Sequence, residues 1–335
     1  MLTYSIRRLA MAVPTLLLIA LVIFALLELA PGDPMAQMPL TVSDAVRAEM
    51  RAALGLGEPA PVRFAAWMWQ VFAVEPRVLL DTVLGTTLAE GLPRVQSWQS
   101  RSPVFAVIAE RLPQTLWVVG MAYVIGILAA LPIGIWSACR RHSPVDHAAT
   151  AVTMLGYAVP PFFSGLLAIL VFTYWLGWFP SVYDTTYRVT GWAGLRFQLW
   201  QMTLPVLVLS VQTTAMLARY LRAAMIDELQ SLYVRAARAK GMGEAAVVLG
   251  HALRNAMIPV VTIVALGLPQ VFGGAIITEQ IFRVNGVGHL LITSIQASDW
   301  PMVQTVTFLL AILIVGFNIL ADLLYGWLDP RVRHD

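Results

Sequence analysis

Six long stretches of this chain contain no Asp, Glu, Lys or Arg: residues 9–27, 112–139, 148–183, 197–218, 255–278 and 300–321. Each can supply the roughly 20 apolar residues with which a helix crosses a hydrocarbon core of about 30 Å. Barrel strands alternate in polarity, so runs of this length exclude a porin-like barrel. Composition agrees: 59% of the 335 residues are hydrophobic and 12% are charged. A soluble domain carries about 25% charge because its surface faces water. The pattern predicts an all-α integral membrane protein with six transmembrane helices. The stretch 148–183 holds 36 residues, too many for one straight span and too few for two with a loop. Pro160-Pro161 lies in its middle, which predicts one kinked span.

The first stretch follows Arg7 and Arg8 and is longer than the h-region of a cleaved signal, so it is expected to be retained as a span. With the N-terminus in the cytoplasm, the cytoplasmic segments hold twelve basic residues: Arg7, Arg8, Arg140, Arg141, Arg219, Arg222, Arg235, Arg238, Lys240, Arg254, Arg331 and Arg333. The short outside loops hold three, Arg188, Arg196 and Arg283. That asymmetry places both termini in the cytoplasm. The segments then read as residues 1–29, the cytoplasmic N-terminus and first span; 30–111, a long extracytoplasmic loop; 112–327, a five-helix core with a cytoplasmic loop at 219–254; and 328–335, a cytoplasmic tail.

In the outside segment, Ser43 is positioned to cap a helix running to about Leu54, where Gly55, Gly57, Pro59 and Pro61 stop it. A second helical stretch over 62–74 carries Phe64, Trp67, Trp69 and Phe72. Two roles fit them: packing at the membrane interface or on the bundle, and direct contact with a substrate or partner. Asp322, near the end of the last span, is expected in a salt link or cap at the membrane edge. His142 and His147 are two imidazoles without further ligands, expected in a solvated loop and no metal site. Cys139 is the single cysteine, so no disulfide forms within the chain. Scattered basic residues and a net charge of +3 exclude a nucleic-acid footprint.

The loop 219–254 holds Ser231-Leu232-Tyr233-Val234-Arg235-Ala236-Ala237-Arg238-Ala239-Lys240-Gly241. Ser231 is placed as an N-cap, the alanines favour helix, and Arg235, Arg238 and Lys240 sit where cations offset the helix dipole. Gly241 follows as a stop. Small side chains at 236, 237 and 239 allow close approach of a partner, although an ordinary surface helix has the same composition.

This segment, with His251-Ala252-Leu253-Arg254-Asn255-Ala256-Met257-Ile258-Pro259, resembles the coupling loop of dipeptide and oligopeptide ABC permeases. Further landmarks match in order: Ile6-Arg7-Arg8-Leu9, Ala30-Pro31-Gly32-Asp33-Pro34, Glu110-Arg111-Leu112-Pro113-Gln114-Thr115, Gly156-Tyr157-Ala158-Val159-Pro160 and Leu328-Asp329-Pro330-Arg331. The opening motifs look like the B-type subunit of that family. The resemblance implies a type I ABC importer permease fold in the cell inner membrane, and a path for peptides. It also implies a C-type second permease, two cytoplasmic ATPase subunits and an extracytoplasmic solute-binding protein. Tyr233, Arg235, Ala236, Ala237, Arg238, Lys240 and Gly241 would then couple to the ATPases. ATP and Mg would be bound by those partners, with no cofactor, metal or catalytic residue in this chain, which has no G-x-x-x-x-G-K-[ST] loop. Similar permeases carry nickel chelates, glutathione or peptide-like antibiotics. The rival class, a stand-alone secondary transporter, would show intramembrane ionisable groups or inverted halves. Two departures stand out: Leu232 replaces a common acidic residue, and residues 81–101 lack the family's Gly-Asp-Leu-Gly-x-Ser segment.

Overall fold

The computed structural model describes residues 2–29, 57–184 and 190–328. The expected helix from Ser43 to Leu54, and the residues Arg188, Arg331 and Arg333, lie outside them. Among the described residues five helices are long and apolar enough to cross a membrane, or six when a bent pair is counted as one span. The helices are α1 (Leu2–Glu28), α2 (Ala60–Trp69), α3 (Glu75–Leu84), α4 (Val104–Cys139), α5 (Pro144–Ala158), α6 (Pro161–Trp175), α7 (Gly191–Leu229), α8 (Leu232–Ala239), α9 (Glu244–Phe282), α10 (Val287–Gln296) and α11 (Trp300–Leu328).

The chain divides into two compact units. The larger comprises residues 1–9, 114–289 and 314–335. The expected kink in its third apolar stretch is a break: α5 and α6 meet at 104°. Pro160 drives Val159 into extended backbone (φ −79°, ψ 121°), and Pro161 then opens α6 at a position that needs no N–H donor. Helix α7 packs on α5, α6 and α9. It also approaches α4 closely at Gly126, where a methyl group would stand 2.7 Å from Thr213 Cβ, and Thr214 Oγ1 donates to the Gly126 carbonyl at 3.3 Å. Small residues at such crossings replace the hydrophobic drive that lipid cannot supply. Asp146 in the first turn of α5 is buried and takes a two-pronged bond from Arg222 of α7, at 2.6 and 2.8 Å. Asp322 of α11 pairs with Arg8 at 3.0 Å, the salt link expected for it.

The second unit comprises residues 10–113 and 290–313. Helix α4 begins at Val104, eight residues before the apolar run at Leu112. A propagating helix tolerates Glu110 and Arg111 at its polar end, so α4 extends beyond the charge-free stretch. Between α2 and α3 the helix continues through a π-type turn, Gln70–Val74. Trp67 is buried, with its ring 5.3 Å from Phe308 and its indole N–H 3.4 Å from Thr305 Oγ1. Phe64 stacks edge-on against Phe24 at 5.3 Å. Packing therefore accounts for these two aromatics. Trp69 is 54% exposed beneath the Arg77 guanidinium. Trp67→Ala should lower stability by about 3 kcal/mol, and Trp69→Ala by less than about 1 kcal/mol. Thermal melts of the two detergent-purified variants check this, and equal melting losses would contradict the packing assigned to Trp67.

The atypical segment 81–101 is ordered by carboxylates. Asp81 accepts from Thr86 Oγ1 at 2.5 Å and from the Leu88 and Ala89 amides at 2.8 Å. The Thr86 hydroxyl holds its carboxyl below the usual aspartate range. Glu75 pairs with both prongs of Arg94. Buried Asp299 accepts from the Ser97 hydroxyl and from the Trp98 amide at 3.0 Å.

Candidate functional site

Helix α8 stands between the end of α7 and the start of α9. Its Val234 and Ala237, three residues apart and so on one face, pack on the chain's own core with Leu221, Met225, Val247 and Ala252. Ala237 is thus turned inward and is 7% exposed, so its packing is within this chain. The sequence could not tell the two adjacent alanines apart, because both are small and helix-favouring. The outward face carries Arg235, Ala236, Ala239 and Lys240, all exposed, and Leu232, which is 81% exposed.

The ends of α8 are fixed. Ser231 occupies the N-cap position, but its hydroxyl donates back to the Glu228 carbonyl at 2.6 Å and makes no cap bond. Tyr233 donates to the Glu228 carboxylate and receives the Asn255 amide at 2.8 Å, joining α7, α8 and α9. Burial pushes its phenol pKa up, and the neighbouring Glu228 carboxylate adds to that, so the hydroxyl remains a donor. At the other end the Gly241 N–H donates to the Arg238 carbonyl at 3.0 Å and the Met242 N–H to Ala237 at 3.3 Å. That is the Schellman pair, which requires the φ of +79° found at Gly241. No atom lies where a side chain at 241 would go, so backbone conformation alone demands glycine. Arg238 is engaged by Glu244 through bonds of 3.1 and 2.6 Å, which raises the guanidinium pKa further. Arg235 and Lys240 are left as the open cations of the face. The seven expected residues are therefore contiguous but divided: Arg235, Ala236, Lys240 and Gly241 are outward and open, Tyr233 and Arg238 hold neighbours, and Ala237 is core.

A second constellation lies just beyond the fifth charge-free run, which ends at Thr278 so that charge alone makes Glu279 a boundary. In the structure Glu279 is completely buried. It accepts from Thr115 Oγ1 at 2.7 Å, from the Gly288 amide at 2.7 Å and from the His289 amide at 3.0 Å. Thr115 Oγ1 in turn receives the Val287 amide at 2.8 Å. The carboxylate caps the first turn of α10, where helix N–H groups have no partner of their own. The legible signal was Gly286-x-Gly288, two residues without side chains shortly after an acid.

The family model of the binding-protein-dependent transport system inner membrane component matches residues 130–334, and its N-terminal companion matches residues 1–119. The chain is 34% identical to the oligopeptide transport system permease protein AppB of Bacillus subtilis, over all of both chains. It is also 34% identical to the glutathione transport system permease protein GsiC of Pectobacterium atrosepticum, again over all of both. Among solved structures, the inward-facing methionine ABC transporter superposes with a TM-score of 0.52 at 16% identity, covering 68% of this chain and 99% of that one. That likeness shows the fold.

Proposed function

We propose, since this chain belongs to the family of binding-protein-dependent transport system inner membrane components, that it carries peptides and that α8 receives the drive of the ATPase subunits. The chain is a multi-pass membrane protein and the transmembrane permease subunit of an ABC importer, a machine that works with ATPase and solute-binding partners. Under this proposal a C-type permease completes the path, ATP and Mg bind only to the ATPases, and this chain performs no chemistry itself. Peptide is favoured as cargo because a relative alike over its whole length is an oligopeptide permease. Glutathione, itself a small peptide, falls in the same class and is the cargo named for a second such relative.

The observation that carries the coupling assignment is α8. It is a short helix with one face on the chain's own core and the other bare, held rigidly at both ends. A lever must be stiff against its own subunit and open toward its partner. Closure of the ATPase pair would push this face, and the bonds from Tyr233 would pass the movement into α7 and α9. The excess of basic residues supports cytoplasmic termini in the cell inner membrane, with residues 30–111 outside.

Alkaline-phosphatase fusions, active only outside the cytoplasm, test the orientation. Fusions at Glu90 should be active, and fusions at Ser143 and Gly243 inactive. Activity at Gly243 would put α8 on the wrong side for an ATPase and end the assignment. Affinity purification of the tagged chain should also recover two ATPase subunits, which a secondary transporter would not bring.

A further inference from the structure

A cavity of about 410 Å³ opens among α4, α5, α7 and α9. Tyr123, Tyr157, Gln212, Thr213, Met216 and Gly267 line it, and no lining residue is charged. All six lie within the charge-free stretches, and Gln212 is seven residues from Arg219, the nearest charged residue of its helix, and so at membrane depth. Two of the polar groups are already used: Tyr123 donates to the Val264 carbonyl, and Thr213 donates to Leu209 at 3.4 Å. Gly267 leaves room for the Tyr123 hydroxyl, which would stand 3.2 Å from an added methyl. Gln212 and Tyr157 make no side-chain hydrogen bond among the described residues, and Tyr157 is 53% exposed. The Arg219 guanidinium lies 4.8 Å over the Tyr157 ring, beyond the lining, and holds that ring in place.

A free amide and a free phenol facing hydrocarbon would cost several kcal/mol, so this opening does not suit lipid. A water-filled path suits it. An amide side chain offers both a donor and an acceptor, the complement of the C=O and N–H in every peptide unit. Neutral groups also hold a passing solute weakly, which transport requires, and Met216 adapts to differing side chains.

We propose that this cavity is the subunit's wall of the translocation path, and that Gln212 and Tyr157 engage the backbone of a peptide cargo without regard to its charge. The inference rests on the permease function proposed above. Two measurements test it in the assembled transporter with its binding protein and ATPases. In a Cys139→Ser background, Gln212→Cys should react with a membrane-impermeant cationic methanethiosulfonate, and the rate should differ about tenfold between nucleotide-free and ATP-trapped states as the path opens and closes. No reaction in either state would mean that a partner helix or lipid covers the cavity, and a rate indifferent to nucleotide would mean a static crevice. Either result overturns the proposal while leaving the permease function standing, because the recovered ATPase subunits report on that separately. Second, Gln212→Glu should raise uptake of Ala-Lys-Ala relative to Ala-Glu-Ala by about tenfold over the wild-type ratio, since a carboxylate in the wall adds or removes about one charged contact. The binding protein's own preference cancels in that comparison. An unchanged ratio would show that the cargo does not pass Gln212.

Discussion

Ala236→Glu is expected to strip the ATPase subunits from the purified transporter and to abolish uptake, while the amount of this chain in the membrane stays near wild type. Ala236 is exposed on the bare face of α8, so a longer side chain there disturbs nothing within the chain. In the docked complex the same carboxylate would put added volume and a reversed charge into the contact, and by pairing with Lys240 four residues on it would take one of the open cations from it. That commonly costs on the order of 2–5 kcal/mol, or about 30-fold to several-thousand-fold in affinity. Ala237→Glu is the internal control. It places the charge among Val234, Leu221, Met225 and Ala252, so it should lower the recovered amount of the chain itself. A quantitative blot of membranes beside a copurification assay separates the two. Normal ATPase recovery with Ala236→Glu would leave α8 as a surface helix and end the coupling assignment.

The contrast between these adjacent alanines marks the limit of what the sequence disclosed. The spans were legible because lipid demands long charge-free runs, and the ends of α8 were legible because Gly241 obeys a local backbone rule. Position along α8 was not, since facing depends on which neighbours arrive: Leu221 and Val248 come from helices on either side of it. Ser231 illustrates a second limit. Its type fits an N-cap, but the Glu228 carbonyl competes for the same hydroxyl and takes it. The π-type turn after Trp69 had no counterpart in the periodicity, because the apolar pattern of 62–74 fits an uninterrupted helix equally well. The polar wall formed by Tyr123, Tyr157 and Gln212 was hidden for another reason. These residues come from three helices, and no sequence spacing joins them.

Glu279→Ala should be among the most damaging substitutions outside the coupling face. It removes the acceptor for the Thr115 hydroxyl and for the amides of Gly288 and His289, all inside the protein. A buried donor left unsatisfied costs about 1–3 kcal/mol, so three together, after some rearrangement, should cost about 4–6 kcal/mol. That is a large share of a stability of about 5–15 kcal/mol. The first turn of α10 would lose its cap, and the melting temperature of the detergent-purified chain should fall by about 10 °C. Glu279→Gln keeps one acceptor oxygen but turns an N–H₂ group toward donors, so its loss should be smaller. Gly288→Ala attacks the same place from the other side. Its added methyl would lie 2.5 Å from the Ile276 Cα and 2.9 Å from a Glu279 carboxylate oxygen. The Ile276 backbone is fixed within α9, so it cannot withdraw as a flexible side chain would. Both Glu279→Ala and Gly288→Ala should therefore melt early, and combining them should cost less than the sum, because each disables the same cap. Wild-type melting of Glu279→Ala would show that water or rearranged neighbours satisfy those donors, and full additivity would show that the two residues act independently.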